Sequence, residues 1–346
     1  MKATDRREFL QCSIGTAALA AATAILDDAS VRSDEKPTRF RLGIIGLDTV
    51  HVTVFAKLFN QEHPDSAKLH NIRITAAFPA GNPDFPLSRD RLAGFTKEVR
   101  DLGVEIVPSL ADLLPQVDGV LLESVDGTQH LEQARPVFEA GKPLFIDKPL
   151  AASLKDVLAI AELGKKHQVP WFTASSSRFT KGYPELRQNE QVGEILGCDT
   201  YSQARAAPGH PDLFWYGVHG VDLLYSLMGT GCRSVTAVQT RYSEQVTSVW
   251  QDERIGTYRA IREHTGQTGL GATVFGSKGI VHVNNYYDYV PLVIAIAEFF
   301  RTKRSPIPVE EMVEVFAYLA AAEESKRRRG APVALRDVVE AAQGKT

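Results

Sequence analysis

The feature that most constrains the fold is an alternation between short apolar runs and segments of helical periodicity, which begins at Phe40. The run Leu42 to Ile45 ends at a glycine, and Val50, Val54 and Leu58 then recur at helical spacing. Five further apolar runs follow, with helical segments between most of them: Ile72 to Phe78, Val104 to Val107, Val120 to Leu122, Pro143 to Ile146 and Val169 to Thr173. Strands separated by helices usually pair in parallel and are covered on both faces, so the pattern predicts a doubly wound parallel α/β sheet.

The pattern changes after about Phe179. Longer β-type runs precede two apolar helices: Ser234 to Tyr242, Leu270 to Phe275 and Gly279 to Val283 are the runs, and Val290 to Phe300 and Val309 to Glu324 are the helices. This order predicts a second domain of α+β class on a mostly antiparallel sheet. The expected divisions are residues 1–39 for a signal and linker, 40–178 for the first domain and 179–346 for the second.

The amino terminus has the pattern of an export signal. Arg6 and Arg7 precede a weakly apolar run from Gln11 to Leu26, with small residues around Ala22 to Ala24. The paired arginines, followed by Phe-Leu after one residue, resemble the twin-arginine type of signal. The run is short for a membrane span and has no stop-transfer flank. We therefore expect export to the periplasm or cell envelope, and no stable membrane insertion of the mature chain.

Charge and cysteine content narrow the possible partners. Lys and Arg number 39 against 42 Asp and Glu, so the formal net charge is -3 and no global positive field favours nucleic acid or anionic lipid. Cys12 falls in the predicted signal, and Cys198 and Cys232 are either a disulfide pair or two buried thiols. None of the three has the spacing of a zinc site, so we predict a small-molecule ligand and no structural metal held by thiolates.

The turn after the first predicted strand reads Gly46-Leu47-Asp48-Thr49-Val50-His51. A dinucleotide-binding turn has the pattern GxGxxG, because bare backbone has to approach the pyrophosphate at the start of a helix. Only Gly46 is in place here, and Asp48 and His51 occupy the other two glycine positions. An ionised Asp48 would repel a pyrophosphate, and the alternative is that Asp48 is the N-cap of the helix.

Three later motifs point to one family. The fifth predicted strand ends in Asp147-Lys148-Pro149, the preceding helix begins near His130, and Gly217 to Leu224 contains His219. Together with the strand order, these motifs resemble the Gfo/Idh/MocA oxidoreductase family from about residue 40 to about residue 337. The resemblance implies a Rossmann-type domain that binds NAD or NADP, and a second domain whose open sheet supports a homo-oligomer.

The resemblance also implies roles for individual residues. Lys148 matches the lysine of the family's Glu-Lys-Pro motif, and that lysine lies beside the nicotinamide and the reacting carbinol. His219 matches the histidine that serves the family as general acid/base. Family members often carry Asp four residues before that histidine, where this chain has Trp215, so the second acid/base group is missing or comes from Asp212 or Asp222. The implied cofactor contacts are Gly46, Asp48, Thr49, Val50, His51, Ser124, His130, Asp147 and Lys148.

Polar and aromatic side chains cluster just before His219, as is typical of a sugar pocket. The predicted substrate contacts are Arg178, His210, Asp212, Trp215, Tyr216 and Asp222. Arg178 either contacts substrate or braces the junction of the two domains. A metal site at His210, Asp212 and His219 is an alternative, but that spacing is not diagnostic, and we predict no metal.

The sequence therefore favours an exported NAD(P)-dependent oxidoreductase that acts on a sugar, polyol or glycoside by hydride transfer. Two alternatives remain open because of Asp48, Trp215 and the absence of an acid in Ala77-Phe78-Pro79, where ribose hydroxyls are normally bound. One is a carbohydrate-binding protein without redox activity. The other is a non-redox lyase or hydrolase.

Replacing Arg6 and Arg7 together with lysine is expected to hold the precursor in the cytoplasm, because the paired arginines are the address that the export machinery reads. The measurement is cell fractionation of a bacterial host that expresses the full chain. Replacing Arg32 and Arg39 with lysine is the matched control, since both lie outside the arginine pair. Normal export of the Arg6, Arg7 variant would contradict the twin-arginine interpretation.

Overall fold

The computed structural model describes residues 39–69, 71–262, 269–285 and 288–345. The predicted export signal, with Arg6, Arg7 and Cys12, lies outside the described residues. No helix within these ranges is long and apolar enough to cross a membrane.

The first sheet is parallel and has six strands among the described residues. Its strands are β1 (Phe40–Ile45), β2 (Ile72–Phe78), β3 (Glu105–Ile106), β4 (Gly119–Leu122), β5 (Leu144–Ile146) and β6 (Trp171–Thr173). Their order is β3-β2-β1-β4-β5-β6, which confirms the predicted doubly wound sheet of Rossmann type. The order reverses between β1 and β4, where sheets of this kind open a crevice at the carboxyl ends of the strands.

Five helices connect these strands: α1 (Val50–Asn60), α2 (Pro86–Asp101), α3 (Leu110–Leu113), α4 (His130–Glu139) and α5 (Leu154–His167). Ser153 is the N-cap of α5, and its hydroxyl accepts the N–H of Asp156. After β1 the chain turns through Gly46 at φ +87°, and a Cβ there would lie 2.3 Å from the hydroxyl of Ser124. Glycine is therefore required where the turn meets the end of β4.

The second sheet is mixed but mostly antiparallel. Its strands are β7 (Ile195–Gln203), β8 (Cys232–Gln239), β9 (Ser243–Trp250), β10 (Ile255–Ile261), β11 (Leu270–Gly276), β12 (Ile280–Asn285) and β13 (Val333–Ala334). In the order β12-β11-β7-β10-β9-β8-β13, only the β7 and β10 pair is parallel within the described chain. The sequence pattern missed β7, β9 and β10, because one face of each is largely polar and dilutes the apolar run.

Four helices complete the second half: α6 (Val218–Met228), α7 (Val290–Thr302), α8 (Val309–Arg327) and α9 (Leu335–Ala342). Helix α6 is apolar on almost every side and is buried against β7, β10 and α8, which places His219 inside the protein. Cys198 and Cys232 are buried free thiols rather than a disulfide. The predicted domain boundary after residue 178 stays a prediction; it falls between β6 and β7.

The same glycine-to-alanine change is expected to have opposite effects in two helices. A Cβ on Gly220 in α6 would lie 2.2 Å from the buried ring of Tyr258, so Gly220→Ala should lower the free energy of unfolding by about 1–3 kcal/mol. A Cβ on Gly94 in α2 would meet no atom of the described residues within 4 Å, so Gly94→Ala should raise the free energy of unfolding by about 0.5–1 kcal/mol. Urea denaturation of both variants measures the difference, and equal effects would contradict the packing described for α6.

Candidate active site

Polar residues follow three neighbouring strands of the first sheet at the point where each strand ends. Ile45 of β1 lies opposite Leu122 of β4, and Leu122 lies opposite Ile146 of β5. The next residue on each strand is therefore at the same edge of the sheet, and these residues are Gly46, Glu123 and Asp147. The turn that begins at Gly46 follows β1 at this edge, and its last two residues, Val50 and His51, form the start of α1.

Asp48 is fully buried and does not cap α1. Its Oδ1 accepts the N–H of Val125 at 2.9 Å, and the N-cap residue is Thr49, whose side chain makes no capping bond. The N-cap alternative is therefore wrong. Burial raises the pKa of Asp48, although the hydroxyl of Ser88 and the N–H of Val125 oppose that change. Oδ2 has no partner with hydrogen-bond geometry among the described residues.

The start of α1 fits a phosphate group. Its first turn carries no acidic residue, and within the described residues no side chain caps its N–H groups. Asp48, the acid that threatened to repel a pyrophosphate, is held against Val125 instead. Thr49 is 6% exposed, whereas Val50 is 45% exposed at the mouth of the turn. Unpaired N–H groups at a helix start attract anions, so the turn can hold a pyrophosphate without its second and third glycines.

His51 lies in a buried cluster with two carboxyl groups. Its Nδ1 is 2.7 Å from Oδ2 of Asp147 and 3.9 Å from Oε2 of Glu123, and its Nε2 is 3.1 Å from the hydroxyl of Tyr289. The Glu123 side chain is fully buried, and neither of its oxygens has a hydrogen-bond partner among the described residues. Burial, followed by the negative charge of Asp147, raises the pKa of Glu123 well above its usual value.

The pKa of Asp147 is lowered, whereas that of Glu123 is raised. Burial opposes the ionisation of Asp147, but the charge and hydrogen bond of His51, together with Lys148, outweigh burial and lower its pKa. The two neighbouring carboxyl groups therefore differ in acidity, because His51 bonds to one of them and not to the other.

Ser124 and His130 brace the loop after β4. The hydroxyl of Ser124 donates to the side chain of Gln133. The ring nitrogens of His130 lie 2.7 Å from the carbonyl of Ser124 and 3.1 Å from the carbonyl of Leu150. Burial lowers the pKa of His130, so a neutral ring donates to one of these carbonyls. His130 thus joins two loops of the crevice, and its predicted contact with the cofactor is corrected to a positioning role, because both ring nitrogens face backbone.

Lys148 and His219 both lie beside Tyr216. The Lys148 ammonium is 5.3 Å from the centre of the Tyr216 ring, and the His219 ring is also 5.3 Å from that centre. The Nδ1 of His219 is 2.6 Å from the hydroxyl of Ser175. Burial, with the nearby positive charge of Lys148, lowers the pKa of His219 well below its usual value. His219 is therefore a neutral imidazole at neutral pH, suited to accept a proton.

Arg178 and Asp222 pair with each other, which decides between the two roles left open for Arg178. Its guanidinium is 2.8 Å from Asp222 and 2.6 Å from Glu311, and all three side chains are largely buried. Asp222 also accepts the N–H of Ser175. Arg178 therefore braces the junction of β6, α6 and α8, and the predicted substrate contacts of Arg178 and Asp222 are corrected for that reason.

Asp212 does not supply the missing second acid. Its oxygens bind Arg262 at 2.5 and 2.7 Å, and Lys326 lies 3.2 Å away. Burial opposes ionisation, but these cations lower the pKa of Asp212. The Asp212 carboxylate is part of an ion-pair network with Arg262 and Lys326, and its contact with substrate stays a prediction.

His210 and Trp215 are packed against the loop after β4. The Nε2 of His210 accepts the N–H of Gly127 at 3.1 Å, and the indole N–H of Trp215 donates to the carbonyl of Val125 at 3.4 Å. The alternative metal site of His210, Asp212 and His219 is not assembled, since each side chain is bound to different partners. Tyr216 remains the predicted substrate contact that lies beside Lys148 and His219.

Sequence reasoning missed Glu123, Ser175 and Tyr289. A signal existed for Glu123, because a charged residue directly follows the apolar run Val120 to Leu122 at the reversal of strand order. Ser175 follows β6 but has no motif of its own. Tyr289 comes from the start of α7, and only the folded chain places its hydroxyl against His51.

Part of this chain is similar in sequence to known oxidoreductases. Residues 40–175 match the GFO_IDH_MocA family model, described as an oxidoreductase family with an NAD-binding Rossmann fold. This stretch of the chain is therefore similar to the Gfo/Idh/MocA family. Inositol 2-dehydrogenase 3 of Saccharopolyspora erythraea is 30% identical over 173 residues, 44% of this chain and 48% of that protein. The match therefore spans about half the length of this curated relative.

Other relatives cover more of the chain at lower identity. Myo-inositol 2-dehydrogenase of Thermotoga maritima is 25% identical over 275 residues, 71% of this chain and 75% of that protein. The crystal structure of scyllo-inositol dehydrogenase from Lactobacillus casei, with bound NAD(H) and scyllo-inositol, is 15% identical with a TM-score of 0.69. The superposition covers 86% of this chain and 100% of that chain, which shows that both halves share the fold.

Two substitutions at Asp48 test what this residue does in the turn after β1. Asp48→Ala leaves the buried N–H of Val125 without an acceptor and should lower the free energy of unfolding by about 1–3 kcal/mol. Asp48→Asn keeps an oxygen acceptor and should cost less than Asp48→Ala. Urea denaturation at neutral pH measures both variants, and an Asp48→Ala protein as stable as the wild type would contradict the bridging role.

Proposed function

We propose that this chain is an NAD(P)-dependent oxidoreductase that oxidises a ring hydroxyl of a cyclic polyol or sugar, with inositols as the first substrates to test. The observation that carries the proposal is the placement of Lys148, which follows β5, and of neutral His219 beside the same ring, that of Tyr216. Support also comes from the relatives, which are named as inositol dehydrogenases. Their names describe those proteins, and the substrate of this chain is our proposal.

The first domain holds the cofactor. The N–H groups at the start of α1 and the bare backbone of Gly46 would bind the pyrophosphate. The Asp48 carboxylate would not contact it, because it accepts the N–H of Val125. When bound, the nicotinamide supplies the hydride acceptor. Lys148 directs an ammonium toward the reacting hydroxyl and stabilises the negative charge that develops on its oxygen.

His219 takes the hydroxyl proton. Its Nδ1 lies 2.6 Å from the hydroxyl of Ser175, and this contact orients the ring for proton transfer with substrate. Ser175 orients the ring in a chain where Trp215 stands at the position that the family often fills with Asp. A neutral hydroxyl partner does not raise the pKa of an imidazole as a carboxylate would, and this agrees with the lowered pKa of His219.

A carbohydrate-binding protein without redox activity is the second candidate, with a non-redox lyase or hydrolase as its catalytic variant. The observation that favours them is His51, a side chain at the third glycine position that is tied to Asp147. In that case the chain would retain the polyol pocket around Tyr216 without turnover of NAD or NADP.

We also propose a homo-oligomer formed through the open face of the second sheet. Ile280 lies opposite Phe275, and Phe275 and Ile255 both lie opposite Gly197. These three side chains form one apolar row across four strands and are 68%, 37% and 53% exposed. A contiguous exposed apolar row of this kind favours association.

The location that we propose, the periplasm or cell envelope, rests on the amino-terminal sequence.

Lys148→Ala and His219→Ala should each lower kcat for NAD-dependent oxidation of myo-inositol by ~10²–10⁴-fold, because each removes a group that acts on the same transition state. The double variant should lose much less than the product of the single losses. NADH absorbance measures turnover, and Lys155→Ala, at an exposed lysine on α5, is the control.

Two results would contradict the proposed reaction. Near-normal turnover by Lys148→Ala or His219→Ala would remove the assigned roles. A wild-type protein that binds myo-inositol and scyllo-inositol in calorimetry but shows neither turnover nor binding of NAD or NADP would favour the carbohydrate-binding alternative.

A further inference from the structure

The cluster of His51, Glu123 and Asp147 has no assigned part in the reaction described above. Nδ1 of His51 and one oxygen of each carboxyl group all lie within 4.8 Å of one another. Among the described residues, no other set of three histidine, cysteine or acidic side chains converges in this way.

Glu123 is the second and independent indication. Its side chain is fully buried at the end of β4, and neither oxygen meets a hydrogen-bond donor in the described chain. A buried carboxyl group without a partner is strongly destabilising unless something compensates for its lost hydration. Buried charges in native proteins are paired or coordinate metal ions. The free oxygens of Glu123 lie on the side where His51 and Asp147 converge.

We propose that His51, Glu123 and Asp147 bind a divalent transition-metal ion. The set is one imidazole and two carboxylates, which suits Zn²⁺ or Mn²⁺ and leaves at least one position for water or a substrate oxygen. The site lies next to Lys148 at the edge where β1, β4 and β5 end. It does not depend on the proposed oxidation, because metal binding requires only these three side chains.

The present distances are close to those of a metal site. Ligands about 2.1 Å from a tetrahedral ion are about 3.4 Å from one another. The atoms of His51 and Asp147 are 2.7 Å apart, and those of His51 and Glu123 are 3.9 Å apart. The pair of His51 and Asp147 therefore has to open by about 0.7 Å, and the pair of His51 and Glu123 has to close by about 0.5 Å.

Tyr289 supplies the outer contact that such a site needs. A histidine that ligates through Nδ1 carries its proton on Nε2 and usually donates it to a neighbouring oxygen. The Nε2 of His51 lies 3.1 Å from the hydroxyl of Tyr289, which can accept that proton. The two rings are also in contact, with centres 4.9 Å apart, so the imidazole is fixed in the orientation that directs Nδ1 to both carboxyl groups.

Metal binding is tested on the tag-free full chain after treatment with EDTA and dialysis. Titration with Zn²⁺ and separately with Mn²⁺, in the absence of NAD, should give one site per chain for at least one of them by calorimetry and by elemental analysis. Glu123→Gln should weaken binding by at least about tenfold and abolish the rise in Tm that the metal produces in the wild type. His63→Gln is the matched control, because His63 and Asp65 form a half-exposed pair 3.8 Å apart without a third ligand.

The metal-free proteins provide the check on folding. Glu123→Gln removes a buried carboxyl group without partners, so its Tm without metal should equal or exceed that of the wild type. Co²⁺ loaded into the wild type should give visible absorption that Glu123→Gln lacks.

The proposal is overturned if the wild type takes up neither Zn²⁺ nor Mn²⁺ stoichiometrically, or if Glu123→Gln binds them as the wild type does. It is equally overturned if no metal binds and Glu123→Gln instead loses affinity for NAD, which would make Glu123 a cofactor contact.

Discussion

The adjacency of β1, β4 and β5 is the constraint on which the rest of the site depends. These parallel strands end at one edge of the sheet, so the residues that follow them meet even though Gly46, Glu123 and Asp147 are far apart in sequence. Two of the three are acids in a buried place, where an unpaired charge is costly. The positively charged and hydrogen-bonding groups at this edge, His51 and Lys148, offset part of that cost for Asp147.

The altered turn after β1 is compatible with this constraint because each departure from glycine has a partner. Asp48 bonds to the backbone of Val125, and His51 bonds to Asp147 and Tyr289. The turn therefore stays close to the loop after β4 through side chains, where the usual motif relies on bare backbone. What remains open to an anion is the start of α1, whose N–H groups no described side chain caps.

The second domain fixes His219 by a different kind of interaction. Helix α6 is buried on almost every side, and the pairing of Arg178 with Asp222 and Glu311 ties it to α8. A second network, centred on Arg262, joins β10 to Asp212 and Glu244. Removing one member of such a buried pair leaves the other charge uncompensated, so these groups support the position of His219 rather than contact a ligand.

The sequence by itself determined the parallel sheet, the turn from Gly46 to His51 and the placement of Lys148 at a strand end, because apolar periodicity and strand-end motifs are local properties of the chain. It also identified His219 through a family resemblance. Only the tertiary structure decided which polar side chains have partners. Asp212 and Asp222 form ion pairs with arginines, and Asp48 accepts a backbone N–H. Glu123 has no hydrogen-bond partner among the described residues. Those partners come from distant segments, and charge pairing depends on distances between elements that no local pattern encodes.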